Sequence, residues 1–250
     1  MIKIKNIKGL VEMIRLEHIN KNYKKKQVVF DFSMNIETQG RRIYGLLGPN
    51  GAGKTTIIKV MTGLLDFTDG KIIIDDSQEY LNWCKNNVVL IPAGERGGRY
   101  KNTVYDNVMF FAAMKGVTEK RVKTLIYEYA KILNYTDFLR RRIETLSMGE
   151  KKKAMLLCGL CTDMKVIIMD EPSNGLDIDA KLEMKSLIKM LSTKYNKTFV
   201  ISSHDMDFLS EMVDHYIFMF QGRNVYEVNG KMGIAQIREK YISVKENFGG

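Results

Sequence analysis

Along the chain, short runs of apolar and β-branched residues alternate with longer stretches of mixed polarity. Residues 43–47, 88–91, 166–169 and 198–202 are nearly continuous apolar runs, the pattern of strands buried on both faces. Helical periodicity lies between them. In 179–194, Leu182, Leu187, Ile188 and Leu191 share one face, with Lys and Glu on the other. Strands alternating with helices predict a parallel α/β sheet. Two regions break the alternation. Residues 13–47 and 71–75 contain short antiparallel strands at 14–17, 28–30, 34–36 and 72–74. Residues from about 95 to 160 are mainly helical, with helices over 104–114 and 120–133. Pro49, Pro92 and Pro172 each end a short apolar run, where a fixed φ and a missing donor interrupt a strand. The last twenty or so residues carry no clear pattern.

Composition narrows the class without choosing the chemistry. The chain has 250 residues, 45% hydrophobic and 27% charged, which suffices for a large core and argues against disorder. Lys and Arg number 39 against 29 Asp and Glu, a net charge of +10. That surplus suits an anionic neighbour and serves solubility equally well. Three cysteines exclude a disulfide framework. Cys158 and Cys161 form C-x-x-C, but inside an apolar helix, so they read as packing thiols rather than a redox or zinc pair. The apolar runs fall short of the ~20 residues a membrane span needs. Met1 to Lys5 begins no signal-peptide core, so the chain is expected in the cytosol.

Gly48-Pro49-Asn50-Gly51-Ala52-Gly53-Lys54-Thr55 is G-x-x-x-x-G-K-T between an expected strand and an expected helix. Glycines there let successive N–H groups converge on phosphate oxygens, and the helix N-terminus adds its dipole. Lys54 is placed to reach the β- and γ-phosphates, and Thr55 offers a hydroxyl to Mg²⁺. The run 166–169 ends in Asp170 and Glu171. Asp170 suits Mg²⁺, directly or through water, and Glu171 suits orientation or deprotonation of an attacking water. His204 follows another buried strand, on the ligand-binding edge of a parallel sheet, where a neutral imidazole can sense the γ-phosphate. His18 and His215 lack such a setting. Ser147 and Glu150 match a capping box ahead of an apolar helix, and a second phosphate-directed helix end makes sense if it completes the site of another copy.

From about Ile14 to Asn224 this set resembles the ATP-binding subunit of ABC (ATP-binding cassette) transporters. The phosphate loop, the signature Leu146-Ser147-Met148-Gly149-Glu150, the Asp170-Glu171 strand, the D-loop Ser173-Asn174-Gly175-Leu176-Asp177 and the switch His204 occur in family order. The resemblance implies a P-loop NTPase core with a mainly parallel sheet, an antiparallel β subdomain and a helical insertion. It implies ATP and Mg²⁺ as cofactors. Gly48, Pro49, Asn50, Gly51, Ala52, Gly53, Lys54, Thr55 and Thr56 would hold the nucleotide, with Tyr23 stacked on adenine. Glu171, His204 and Lys54 would be catalytic, and Thr55 and Asp170 the metal ligands. Ser147, Gly149 and Asp177 would meet the nucleotide of the opposite subunit in a head-to-tail homodimer or heterodimer.

Partners implied are separate membrane permease subunits, with the chain peripheral on the inner face of the cell membrane. Gly45 to Asn50 and Met61 to Leu65 look most like exporters of drugs, antimicrobial peptides or envelope components. The alternative is a soluble ABC ATPase acting on RNA or ribosomes, which would explain the charge but usually carries two cassettes. A coiled-coil DNA-maintenance ATPase would need long heptads between Lys54 and Ser147, and none are present. On the transporter reading no nucleic acid is expected. Two departures stand out: Met148 and Glu150 replace family Gly and Gln, and Ala93-Gly94-Glu95-Arg96 lacks the Q-loop glutamine. Glu95, or a water, is the expected substitute at the magnesium. Arg96 to Tyr100 and the helices after it lie where the family receives the permease. Domain expectations are a flexible extension at 1–12, the ATPase over 13–230 with its insertion at about 95–160, and an unassigned tail at 231–250.

Overall fold

The computed structural model describes residues 13–39, 41–74, 79–94 and 98–248. Two sheets organise them. β3 (Ile43–Leu47), β5 (Val88–Ile91), β6 (Val166–Asp170), β7 (Thr198–Ser203), β8 (His215–Phe220) and β9 (Arg223–Asn229) form a six-stranded sheet in the order β5-β6-β7-β3-β8-β9. The first five are parallel, and β9 returns antiparallel to β8. Every residue of β3, β6, β7 and β8 is buried, which is why they read as unbroken apolar runs. β1 (Met13–Tyr23), β2 (Lys26–Glu37) and β4 (Asp69–Ile74) form the antiparallel sheet, in the order β2-β1-β4.

Side chains leaving the large sheet on opposite faces feed two cores. Ile43 and Leu47 enter one, while Tyr44 and Leu46 enter the other. The second core also takes Ile14, Leu16 and Phe32 from the small sheet. It adds Ile57 and Ile58 from α1 (Lys54–Met61) and Trp83 from α2 (Tyr80–Asn87). The first core gathers α3 (Val104–Met114), α4 (Glu119–Ile132), α5 (Met148–Leu160) and α6 (Ile178–Tyr195). α4 turns Val122, Leu125, Ile126 and Tyr129 inward at helical spacing. Of the stripe read over 179–194, Leu187, Ile188 and Leu191 are buried on α6, but Leu182 is exposed because it lies off the face that meets the core. α3 starts in a capping box of Thr103 and Asp106, and α6 stops at Asn196 in the left-handed region.

Three departures from the pattern have physical causes. Residues 28–30 and 34–36 belong to one strand, β2. His18 and Asp31 take positive φ, and the β1–β2 register shifts around them, so the apolar alternation breaks while the pairing continues. The tail without a pattern forms α8 (Ile234–Phe248), after the short α7 (Met206–Leu209). α8 buries only Ile237 and Val244 and rests Tyr241 on Phe220, which is too few apolar positions for a clear period. His215, ordinary by sequence, is buried and paired with Glu227 across β8 and β9. The proposed extension at 1–12 lies outside the described residues. Among the described residues no helix is long and apolar enough to cross a membrane.

Candidate active site

Strand register brings the chemistry to one edge. Leu47 pairs with Ser203 across β3 and β7, and Asp170 pairs with Ser202 across β6 and β7. The loop after β3, the acid pair ending β6 and His204 after β7 therefore emerge side by side at the C-terminal end of the parallel strands.

The glycine loop is fixed from behind. An ideal Cβ on Gly48 would lie 2.2 Å from the Met219 carbonyl oxygen, so the loop passes flush against β8. Gly222 N–H, in the turn between β8 and β9, donates to Ala52 O at 3.1 Å, and Phe30 N–H donates to Gly222 O at 2.9 Å. Gly53 caps α1 at φ 94° with no side-chain bond, leaving the first N–H groups of the helix for a ligand.

Lys54 Nζ donates to Gly48 O at 2.7 Å and Pro49 O at 3.1 Å, and lies 3.1 Å from Glu171 Oε1. The two side chains of that ion pair are 6% and 10% exposed, so it is screened little by water. Thr55 Oγ1 donates to Asp170 Oδ2 at 2.9 Å, and Ser202 Oγ donates to Asp170 Oδ1. His204 Nδ1 lies 3.0 Å from Glu171 Oε2. A carboxylate only accepts, so the proton belongs on Nδ1 and Nε2 is the ring nitrogen left for another partner. Lys54, Thr55, Asp170, Glu171 and His204 thus converge as their sequence context predicts.

Other expected residues stand apart from that cluster. Ser147 caps α5: its Oγ accepts Glu150 N–H at 3.3 Å and Glu150 Oε2 accepts Ser147 N–H at 2.7 Å. Ser147 and Met148 are exposed, and Met148 packs against Gly175 of the D-loop, filling the space that Gly175 leaves. Asp177 caps α6, accepting Ala180 N–H at 2.8 Å. Tyr23, 44% exposed, ends β1 with Lys21 Nζ over its ring. Cys158 and Cys161 are buried free thiols, and burial pushes Cys161 up to about 12, consistent with packing. Glu95 and Arg96 lie outside the described residues. Arg99, just beyond, stacks on Phe110 at 3.7 Å.

Sequence reasoning missed Ser202, and it grouped Lys152 with Lys151 and Lys153 as cations offsetting Glu150 rather than placing it beside Glu171. Both sit in segments already singled out, but only strand pairing and helix packing reveal which neighbours they touch. Ser202 lies between Asp170 and Glu171, accepting Glu171 N–H at its Oγ at 3.1 Å. Lys152 is buried on α5, and its Nζ is 3.5 Å from Glu171 O.

A family profile described as "ABC transporter" matches residues 31–174. The lantibiotic transport ATP-binding protein SrtF of Streptococcus pyogenes is 31% identical over 217 residues, 86% of this chain and 90% of that protein. The ABC transporter ATP-binding protein NatA of Bacillus subtilis is 29% identical over 220 residues, 86% of this chain and 88% of that protein. Among solved structures, an ATP-binding cassette of an ABC transporter in its ADP conformation aligns with TM-score 0.81 at 22% identity, covering 95% of this chain and 99% of that one. CbiO1 from Clostridium perfringens, part of the transporter complex CbiONQ, aligns with TM-score 0.79 at 24% identity, covering 95% of each chain. At these identities the two structures establish a shared fold.

Proposed function

The chain belongs to the ABC transporter family as an ATP-binding cassette, an ATPase, and on that premise we propose that it is the motor subunit of an exporter. The observation that carries the reading is the Lys54–Glu171–His204 array beside the glycine loop, a buried ion pair opening onto an exposed histidine, with 3.1 and 3.0 Å contacts. Lys54 is shared between loop carbonyls and Glu171. A bound triphosphate competes for the same ammonium with greater charge. Its arrival draws Lys54 toward the β- and γ-phosphates and frees Glu171 Oε1 for the attacking water. Ser202 keeps Asp170 and Glu171 in place through the exchange. With Nδ1–H given to Glu171, His204 donates to a γ-phosphate oxygen through Nε2 only when both ring nitrogens carry protons.

Magnesium fits the donors present. Thr55 Oγ1 and Asp170 Oδ2 are hard oxygens 2.9 Å apart on neighbouring elements, the sparse protein ligation that Mg²⁺ accepts beside phosphates and water. Thr55 would bind it directly, and Asp170 directly or through water. The ion supplies neutralisation of charge on the phosphate oxygens.

The exposed Ser147 cap and Gly149 are proposed to complete the ATP site of a second ATPase subunit, the same chain or a related one, in a head-to-tail dimer. ATP held between two subunits stabilises the closed form, and loss of the γ-phosphate removes the bridge. Closure then drives separate permease subunits at the inner face of the cell membrane. The cargo class proposed is a drug, an antimicrobial peptide or an envelope component. The likeness to a lantibiotic transport protein supports the peptide choice. The ATPase unit is proposed to span 13–230.

Glu171→Gln tests the reading. The variant should bind Mg·ATP, stop turning over and shift from monomer to dimer by size exclusion with light scattering. A variant that stays monomeric with ATP and still releases phosphate sinks the sandwich.

A further inference from the structure

Glu171 sits in a strained backbone position. Its φ is 49°, the left-handed region that a residue with a side chain adopts at a cost. Ser202, Lys54, His204, Lys152 and Asn174 all contact it. Ser202 accepts the Glu171 N–H at both its carbonyl oxygen and its Oγ, 3.1 Å each. Lys54 and His204 each take one carboxylate oxygen. The Glu171 carbonyl oxygen accepts the Asn174 N–H at 3.3 Å, and Lys152 reaches the same oxygen from 3.5 Å. The first three lie on the phosphate loop or at the end of β7. Lys152 alone comes from α5, five residues after the cap Ser147, roughly 7.5 Å along the helix axis.

Lys152 differs from the lysines on either side of it. Lys153 pairs with Glu183 at 2.8 Å at the surface, and Lys151 lies over the Tyr100 ring. Lys152 is 6% exposed. Burial disfavours its charge, and the Asp170 and Glu171 carboxylates oppose that loss. Removing one partner from a buried set of charges destabilises, because the charges left behind lose their compensation, here the buried Asp170 and Glu171. The cation compensates the two carboxylates, and its position adds a second role: together with the Asn174 N–H it holds the Glu171 carbonyl oxygen, the main chain of the hydrolytic carboxylate.

We propose that Lys152 is a positioning residue for hydrolysis, acting through Glu171. The proposal rests on Glu171 being the hydrolytic carboxylate. The test uses the full chain as wild type, Lys152→Met, Lys152→Arg and Glu171→Gln. Phosphate release gives kcat and KM, a fluorescent ATP analogue gives nucleotide affinity, and thermal melting reports the fold. Lys152→Met should lower kcat by about tenfold, keep KM and nucleotide affinity within about twofold, and melt below wild type while staying folded at the assay temperature. Lys152→Arg, which restores a cation and donor, should recover at least part of the lost kcat. Wild-type kcat in Lys152→Met overturns the proposal. So does a joint fall of kcat, affinity and melting temperature that Lys152→Arg does not reverse, because that is the signature of packing. Glu171→Gln separates the two levels. If it turns over normally, the reading of Glu171 itself fails. If it is inactive while Lys152→Met is normal, only the role of Lys152 fails.

Discussion

Replacing Ser202 with alanine tests whether β7 holds the two carboxylates. Ser202 is fully buried. Its Oγ donates to Asp170 Oδ1 and accepts the Glu171 N–H at 3.1 Å. The Glu171 N–H keeps a partner in the Ser202 carbonyl oxygen, 3.1 Å away, so that loss is partial. The Asp170 loss is not made up, because Thr55 bonds the other oxygen, Oδ2. A hydrogen bond to a charged group contributes about 1.5–3 kcal/mol. At this chain length each kcal/mol moves the melting midpoint by roughly 2–4 °C, so Ser202→Ala should melt about 3–12 °C lower. Ser173→Ala is the matched control. Its Oγ lies 3.4 Å from Ser203 Oγ, a long neutral pair in the same buried corner, and about 1 kcal/mol or less is at stake. Calorimetry supplies the midpoints and steady-state phosphate release supplies kcat. Ser202→Ala should lose more stability than Ser173→Ala and also lose turnover. A Ser202→Ala protein that melts with wild type and hydrolyses ATP at its rate would refute the reasoning.

Gly48→Ala drives a Cβ toward the Met219 carbonyl, 2.2 Å away in ideal geometry, so the loop must move at a cost of about 1–3 kcal/mol. Its melting point and ATP affinity should both fall, and unchanged values would show that the loop has slack. Ser192 on α6 is buried with its Oγ lacking a hydrogen-bond partner among the described residues. Ser192→Ala removes an uncompensated polar burial and should stabilise by about 1 kcal/mol, and a lowered melting point would point to an overlooked partner. Glu227 is held below its ordinary 4.5, chiefly by the hydrogen bond from His215, with burial opposing. Its contribution to stability is therefore full above that ordinary value and is lost as pH falls through the depressed folded one. Glu227→Gln should flatten the acid side of the stability–pH curve, measured by denaturant melts at stepped pH, and an unaltered slope would dismiss the pair as a pH-linked contact.

Legibility followed sequence distance. The glycine loop, the acid pair at the end of β6 and the Ser147–Glu150 cap are local, and residue type with spacing was enough to find them. The parallel class was legible too, because strands covered on both faces lose their polar alternation. The two strands read from β2 failed where positive-φ residues interrupt the alternation, and α8 was invisible because it buries so little.

By itself the sequence marked out the groups proposed to meet a nucleotide, since a phosphate loop and a helix cap need only neighbouring residues in a fixed local conformation. Tertiary structure alone decided how those groups hold one another. Thr55 and Asp170 are 115 positions apart, and Ser202 is 32 beyond Asp170. Lys152 meets Glu171 only because α5 packs on β5, the neighbour of the strand that leads into Glu171. Such contacts depend on strand order and register, which arise from burying the whole sheet at once and leave no periodic trace in any one segment.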